Sequence, residues 1–131
     1  MKPLGVHFLL DVAGAPFATL DDPILIETLL VDAVKRMGAK VLGIHIHRLS
    51  PQGVSGVVVI SESHLTIHTW PEYGYAAVDL FTCGEEIDPW KCYYYLDEKL
   101  KAKHSTTIEM RRGTINTPFL RHKPQPVKVA A

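Results

Sequence analysis

Ser61-Glu62-Ser63-His64-Leu65-Thr66-Ile67-His68-Thr69-Trp70-Pro71-Glu72 is the stretch from which the rest of the chain can be placed. From Leu65 onward the residues alternate. Leu65, Ile67 and Thr69 share one side, and His64, Thr66, His68 and Trp70 the other, which is the period of a half-buried strand. Both histidines therefore project from one face. Immediately upstream, Val57-Val58-Val59-Ile60 is an apolar run typical of a second strand, and Pro51-Gln52-Gly53-Val54-Ser55-Gly56 breaks the chain before it. Glu62 and Ser63 then fall at the junction of two strands, where a sharp bend can hold the backbone under strain.

Working outward, Leu4 to Val12 reads as a first strand ended by Gly14-Ala15-Pro16. Asp21-Asp22-Pro23 opens a helix with an Asp cap and a proline in the first turn. Ile26, Leu29, Leu30, Ala33, Val34 and Met37 form its apolar face, and Gly38 stops it. Lys40 to Leu49 is the next strand, with Leu42, Ile44 and Ile46 expected on one face and Gly43, His45 and His47 on the other. After the central block, Ala76 to Cys83 is a strand on which Ala77, Asp79, Phe81 and Cys83 share a side. Asp88-Pro89 repeats the helix-start signature. Cys92, Tyr93, Leu96 and Leu100 mark the buried stripe of the helix that follows, so Cys92 reads as a core thiol.

His104 to Met110 is the last strand, closed by Arg111-Arg112-Gly113. From Thr114 to Ala131 the periodicity disappears while proline and positive charge accumulate, as in a tail. The order β-α-β-β-β-β-α-β with short central links predicts an α+β fold. It is a two-layer α/β sandwich: a largely antiparallel sheet with two helices on one face, in a single domain over residues 1–113. The other face, carrying His45, His47 and His68, is left for solvent, substrate or a second copy.

The 131 residues suit one core, and 14 basic against 14 acidic residues leave no electrostatic footprint for nucleic acid or an anionic membrane. No apolar stretch approaches the roughly 20 residues of a membrane span. Met1 to His7 lacks the apolar core of a secretory signal, and Cys83 and Cys92 read as thiols in a reducing compartment, so a cytoplasmic location is expected. His45 and His47, with His64 and His68, could in principle offer imidazoles to a divalent ion if their strands were neighbours. That reading describes a non-cleaving metal- or ligand-binding module.

From Gly38 to Gly113 the chain resembles the short, pyruvoyl-dependent S-adenosylmethionine decarboxylases of prokaryotes. The likeness is densest over Gly53 to Ile60, Glu62-Ser63-His64-Leu65, Ile67 to Glu72 and Phe81-Thr82-Cys83-Gly84. Taken alone, Ser63 would pass for a turn serine and His68 for a strand histidine. The resemblance implies instead a proenzyme that cuts itself after Glu62, giving a β chain of residues 1–62 and an α chain of 63–131. Ser63 would become the pyruvoyl group that forms a Schiff base with a small-molecule substrate. His68 would be the processing base, Ser55 its support and Cys83 the proton donor to product. Glu72 and Leu49 would bind substrate, and no metal is needed. A homodimer of processed αβ protomers is implied as well, with the sites near the subunit contact.

Two departures touch substrate identity. Leu49 stands where the family usually has an aromatic that could stack on adenine, and Val6 where many members carry arginine. The same pyruvoyl chemistry on arginine or ornithine is therefore the nearest alternative.

Overall fold

The computed structural model describes residues 3–61 and 63–116. The elements run β1 (Pro3–Ala13), α1 (Phe17–Leu20), α2 (Pro23–Met37), β2 (Val41–Arg48), β3 (Val54–Ile60), β4 (Ser63–Trp70), a 3-10 turn (Pro71–Tyr73), β5 (Tyr75–Thr82), α3 (Pro89–Lys99) and β6 (His104–Thr114). They build one six-stranded sheet in the order β2-β3-β4-β5-β1-β6. Every neighbouring pair is antiparallel. The expected α+β sandwich is the fold observed, with a one-turn helix, α1, and the 3-10 turn as additions.

The helices start and stop where their chemistry says. The Asp22 carboxylate accepts from the amides of Ile24 and Leu25, meeting two donors that the first helical turn leaves open. Gly38 ends α2 in the left-handed region at φ 92°. Asp88 caps α3 through the Trp90 amide. All six residues of the apolar stripe of α2 are buried. On α3 the buried set is Cys92, Tyr95 and Leu96, followed by Leu100 at the C-cap. Tyr93 is only partly buried and sits at the margin of the core. Tyr95 is fixed by its hydroxyl to Asp32 of α2 at 3.1 Å and by Arg36 over its ring.

Beneath the helices the sheet contributes Phe8, Leu10 and Val12 of β1, Val58 and Ile60 of β3, Leu65 and Ile67 of β4, and Val78 and Leu80 of β5. Thr69 of β4 and Thr82 of β5 are buried polar members of this face, and Thr69 is the one that ties elements together. It is 2% exposed, yet fully bonded: Oγ1 donates to the Leu20 carbonyl and accepts from the Val54 amide, both at 2.8 Å. That hydroxyl ties the start of β3 and the end of α1 to β4.

Two sequence expectations need correction. Leu42 does not join Ile44 and Ile46 on the core face; it is 48% exposed. A bulge falls between the Val41–Ile60 and Gly43–Val59 pairs, and one inserted residue exchanges the faces of a strand with period two. β6 does not close at Met110 either. It stays paired with β1 as far as Thr114 opposite Pro3, so Arg111-Arg112-Gly113 and the first residue assigned to the tail belong to the sheet. The rest of the tail from Thr117 lies outside the described residues.

Candidate active site

The face of the sheet opposite the helices bears the cleft lined by His45, His47, Ser55 and His68. Register settles which side chains meet there. Ser55 of β3 pairs with His68 of β4, and His68 with Ala77 of β5. Directly opposed residues have their Cβ atoms about 5 Å apart. His45, His47, Ser55, His68 and Asp79 line a shallow cleft of about 270 Å³. The His68 ring also rests on Trp70, with centroids 4.1 Å apart. At the end of β4 beyond His68, Glu72 lies in the 3-10 turn, where its carboxylate accepts from the Gln52 side chain of the β2–β3 loop. Leu49 enters that same loop, its amide donating to the Gly53 carbonyl at 2.8 Å. Ser55, His68, Glu72 and Leu49 thus form one group.

Ser63 and Cys83 form another, at the opposite end of β4. Ser63 opens the strand, paired with Ile60 on one side and Thr82 on the other, and Cys83 directly follows Thr82. The Thr82 hydroxyl accepts from the Gly84 amide at 3.3 Å, which turns the chain just past Cys83. Neither Cys83 nor Cys92 is in a disulfide. Cys92 is buried in the core as expected, and burial pushes its thiol up to about 12.

Ser63 has φ 148°, a region that residues with a Cβ avoid at a cost of about 1–3 kcal/mol. The strained junction expected from sequence is therefore present at Ser63. Glu62 lies outside the described residues. The unusual backbone also breaks the alternation of β4: neighbours in a regular strand point to opposite faces, but here Ser63 Oγ lies 3.2 Å from Nδ1 of His64.

His64 belongs to a polar cluster that the sequence did not announce. Its ring packs edge-on to His7 of β1 and against Phe81 of β5. His7 Nε2 lies 3.2 Å from Asp79 Oδ1, and Arg112 of β6 donates to His7 Nδ1 at 3.2 Å. Because guanidinium only donates, neutral His7 carries its proton on Nε2, facing Asp79. Burial lowers the pKa of His64 below the ordinary 6.5; His7 and Arg112 reinforce that shift while Asp79 opposes it.

His45, His47, His64 and His68 do not converge: the last two are four residues apart on one strand, about 13 Å. Among the described residues no three His, Cys, Asp or Glu side chains are grouped to hold a metal ion.

Residues 6–113 match the family model described as S-adenosylmethionine decarboxylase. The chain belongs to the S-adenosylmethionine decarboxylase family. It is 52% identical to the S-adenosylmethionine decarboxylase proenzyme of Caldicellulosiruptor saccharolyticus, over 99% of this chain and 98% of that protein. The proenzyme of the same name from Acetivibrio thermocellus is 53% identical over 90% of this chain and 95% of its own length. The crystal structure of adenosylmethionine decarboxylase from Aquifex aeolicus superimposes with a TM-score of 0.84 at 33% identity, covering 92% of this chain and all of that one. The antiparallel sheet described above is shared with that solved relative, and the blocks densest in likeness to the family carry the candidates Ser55, Ser63, His68, Glu72 and Cys83, while Leu49 lies outside them.

Proposed function

We infer that this chain is a self-processing decarboxylase that acts on S-adenosylmethionine and yields the decarboxylated aminopropyl donor used for spermidine. The observation that carries this reading is Ser63 at the head of β4, strained at φ 148° with its hydroxyl in contact with an imidazole. Strain at the residue whose preceding bond must break favours the cleaved state, because cutting there releases it. In the first step Ser63 Oγ attacks the carbonyl carbon of Glu62, the peptide C–N bond breaks, and an ester replaces the amide. A base then takes the Cα proton of residue 63 and the ester departs as the Glu62 carboxylate. Hydrolysis of the remaining dehydroalanine releases ammonia and leaves the pyruvoyl group.

Position 63 suits that group. It is held between Ile60 and Thr82, and it remains bonded through its own carbonyl to His64 in the strand after its amine and hydroxyl are lost. Once formed, the pyruvoyl supplies an electron-accepting carbonyl to a bound amino acid as carbon dioxide leaves. Cys83, which follows the Thr82 paired with Ser63, is the proton donor in this reading, returning a proton from Sγ to the substrate α-carbon. Glu72 offers a carboxylate to the ribose hydroxyls, and Leu49 an apolar surface to adenine.

His68 as processing base raises a geometric problem with a definite solution. It lies five positions along the strand from Ser63, about 16 Å, too far for proton transfer within one chain. A two-fold axis that stacks open face on open face and reverses strand direction would lay the Ser63–Cys83 end of one copy over the Ser55–His68–Glu72 end of the other. The open face also bears apolar residues suited to being covered, with Val59 48%, Ile108 62% and Met110 48% exposed. The proposed unit is thus a homodimer with two shared sites, each protomer processed into chains of 1–62 and 63–131. Among the described residues no helix is long and apolar enough to cross a membrane.

The test is carbon dioxide release from S-adenosylmethionine, arginine and ornithine by purified protein. Turnover of S-adenosylmethionine alone is expected; a preference for arginine or ornithine would overturn the substrate.

A further inference from the structure

Self-cleavage needs two proton acceptors, one for the Ser63 hydroxyl as it attacks and one for the Cα proton as the ester leaves. His68 serves the second. No role has yet been given to the imidazole that touches the hydroxyl itself, 3.2 Å from Ser63 Oγ.

We propose that His64 is the general base of the first step, taking the Ser63 hydroxyl proton onto Nδ1 and delivering it to the Ser63 nitrogen as the peptide bond breaks. The proposal rests on the self-cleavage reading above. Its balance is closed: the Oγ–H bond and the C–N bond break, an Oγ–C bond and an N–H bond form, and the imidazole is regenerated. No co-reactant is needed.

Three features of the site support it. The left-handed φ of Ser63 is what turns its hydroxyl toward the neighbouring side chain, so the strain and the contact are one feature. The ring is held in place rather than free to swing, between His7 of β1 and Phe81 of β5. The groups facing it keep it in the accepting form. Burial and His7 favour neutral imidazole and Arg112 adds to them, while the Asp79 carboxylate, already bonded to His7, opposes them only in part. Neutral imidazole protonated on Nε2 presents an Nδ1 lone pair to the hydroxyl.

Asparagine is the informative replacement, since its Oδ1 can stand where Nδ1 stood and accept the same hydrogen bond without being a useful base. The experiment compares His64→Asn with His68→Asn in full-length chains, using hydroxylamine, which cuts an ester but spares an amide. His68→Asn is expected to stall after the acyl shift, as a full-length chain that hydroxylamine splits at residue 63. His64→Asn is expected to stall before it, full-length and resistant, with ester formation slowed by at least about a hundredfold, the scale of general acid–base catalysis.

A second measurement removes any dependence on how the His64 variant folds. In His68→Asn, samples are held at different pH and quenched into hydroxylamine at one fixed pH. Ester formation is then expected to fall as pH is lowered, with a midpoint below the ordinary histidine value of 6.5. A His64→Asn chain that cleaves at the wild-type rate overturns the proposal, as does a stalled one that hydroxylamine cuts, or a flat pH profile in His68→Asn. Wild-type protein that never cleaves would instead remove the self-cleavage reading beneath it.

Discussion

Ser63 combines a backbone strained at φ 148° with a hydroxyl held 3.2 Å from the His64 imidazole. Its place at a strand junction was legible from the apolar run before it and the alternation after it. Its contact with His64 was not, because strand parity puts adjacent side chains on opposite faces and only the observed φ of 148° reverses that. The His7–Asp79–Arg112 cluster was hidden for another reason: it joins β1, β5 and β6, whose adjacency no local pattern encodes. Roles at this scale separate cleanly. Ser63→Ala is expected to leave a full-length chain with no turnover. Cys83→Ala is expected to process normally and lose roughly a hundredfold or more in turnover, the loss expected of a missing proton donor. Gel electrophoresis beside a decarboxylase assay reads both, and normal turnover in Cys83→Ala would remove its role. Cys92 gives a contrasting expectation. Its thiol is 1% exposed and pushed up to about 12, so an alkylating reagent at neutral pH leaves it unmodified until the protein is unfolded. Peptide mass mapping after labelling checks this.

Elements were read well where one periodicity held throughout. The stripe of α2 and the faces of β4 and β5 follow from spacing alone, and the aspartate–proline starts fixed both long helices. The reading failed where one residue interrupts the period: the bulge beside Leu42 sends that side chain outward, and nothing in Val41-Leu42-Gly43 announces it. It failed again on β6, whose exposed, charged residues look like the end of a strand although β1 is long enough to pair with all of them. Thr69 is the position at which element packing can be tested. Thr69→Val keeps the shape but leaves the Leu20 carbonyl and the Val54 amide without their partner. Denaturant unfolding is expected to show a loss of about 1–3 kcal/mol, the cost of unsatisfied buried groups. A variant as stable as the parent would mean that the tie between α1, β3 and β4 contributes nothing.

At the scale of the whole molecule, the two groups of site residues lie at opposite ends of β4, and one chain cannot bring them together. The shared-site dimer therefore predicts complementation. Ser63→Ala and His68→Ala chains, each inactive alone, are expected to regain cleavage and turnover when co-expressed, because each mixed dimer holds one site with both an intact Ser63 and an intact His68. Continued inactivity of a mixed dimer isolated with two different tags would place the whole site within one protomer. Beneath this lies the claim that the chain cuts itself at residue 63 and keeps a pyruvoyl group there. Intact-mass spectrometry of the purified wild-type protein under denaturing conditions tests it most directly. The account predicts two chains, residues 1–62 with an ordinary carboxyl terminus and residues 63–131 with the amino-terminal serine replaced by pyruvoyl; a single 131-residue mass after prolonged incubation at neutral pH, or an α chain that keeps a free serine, would contradict it.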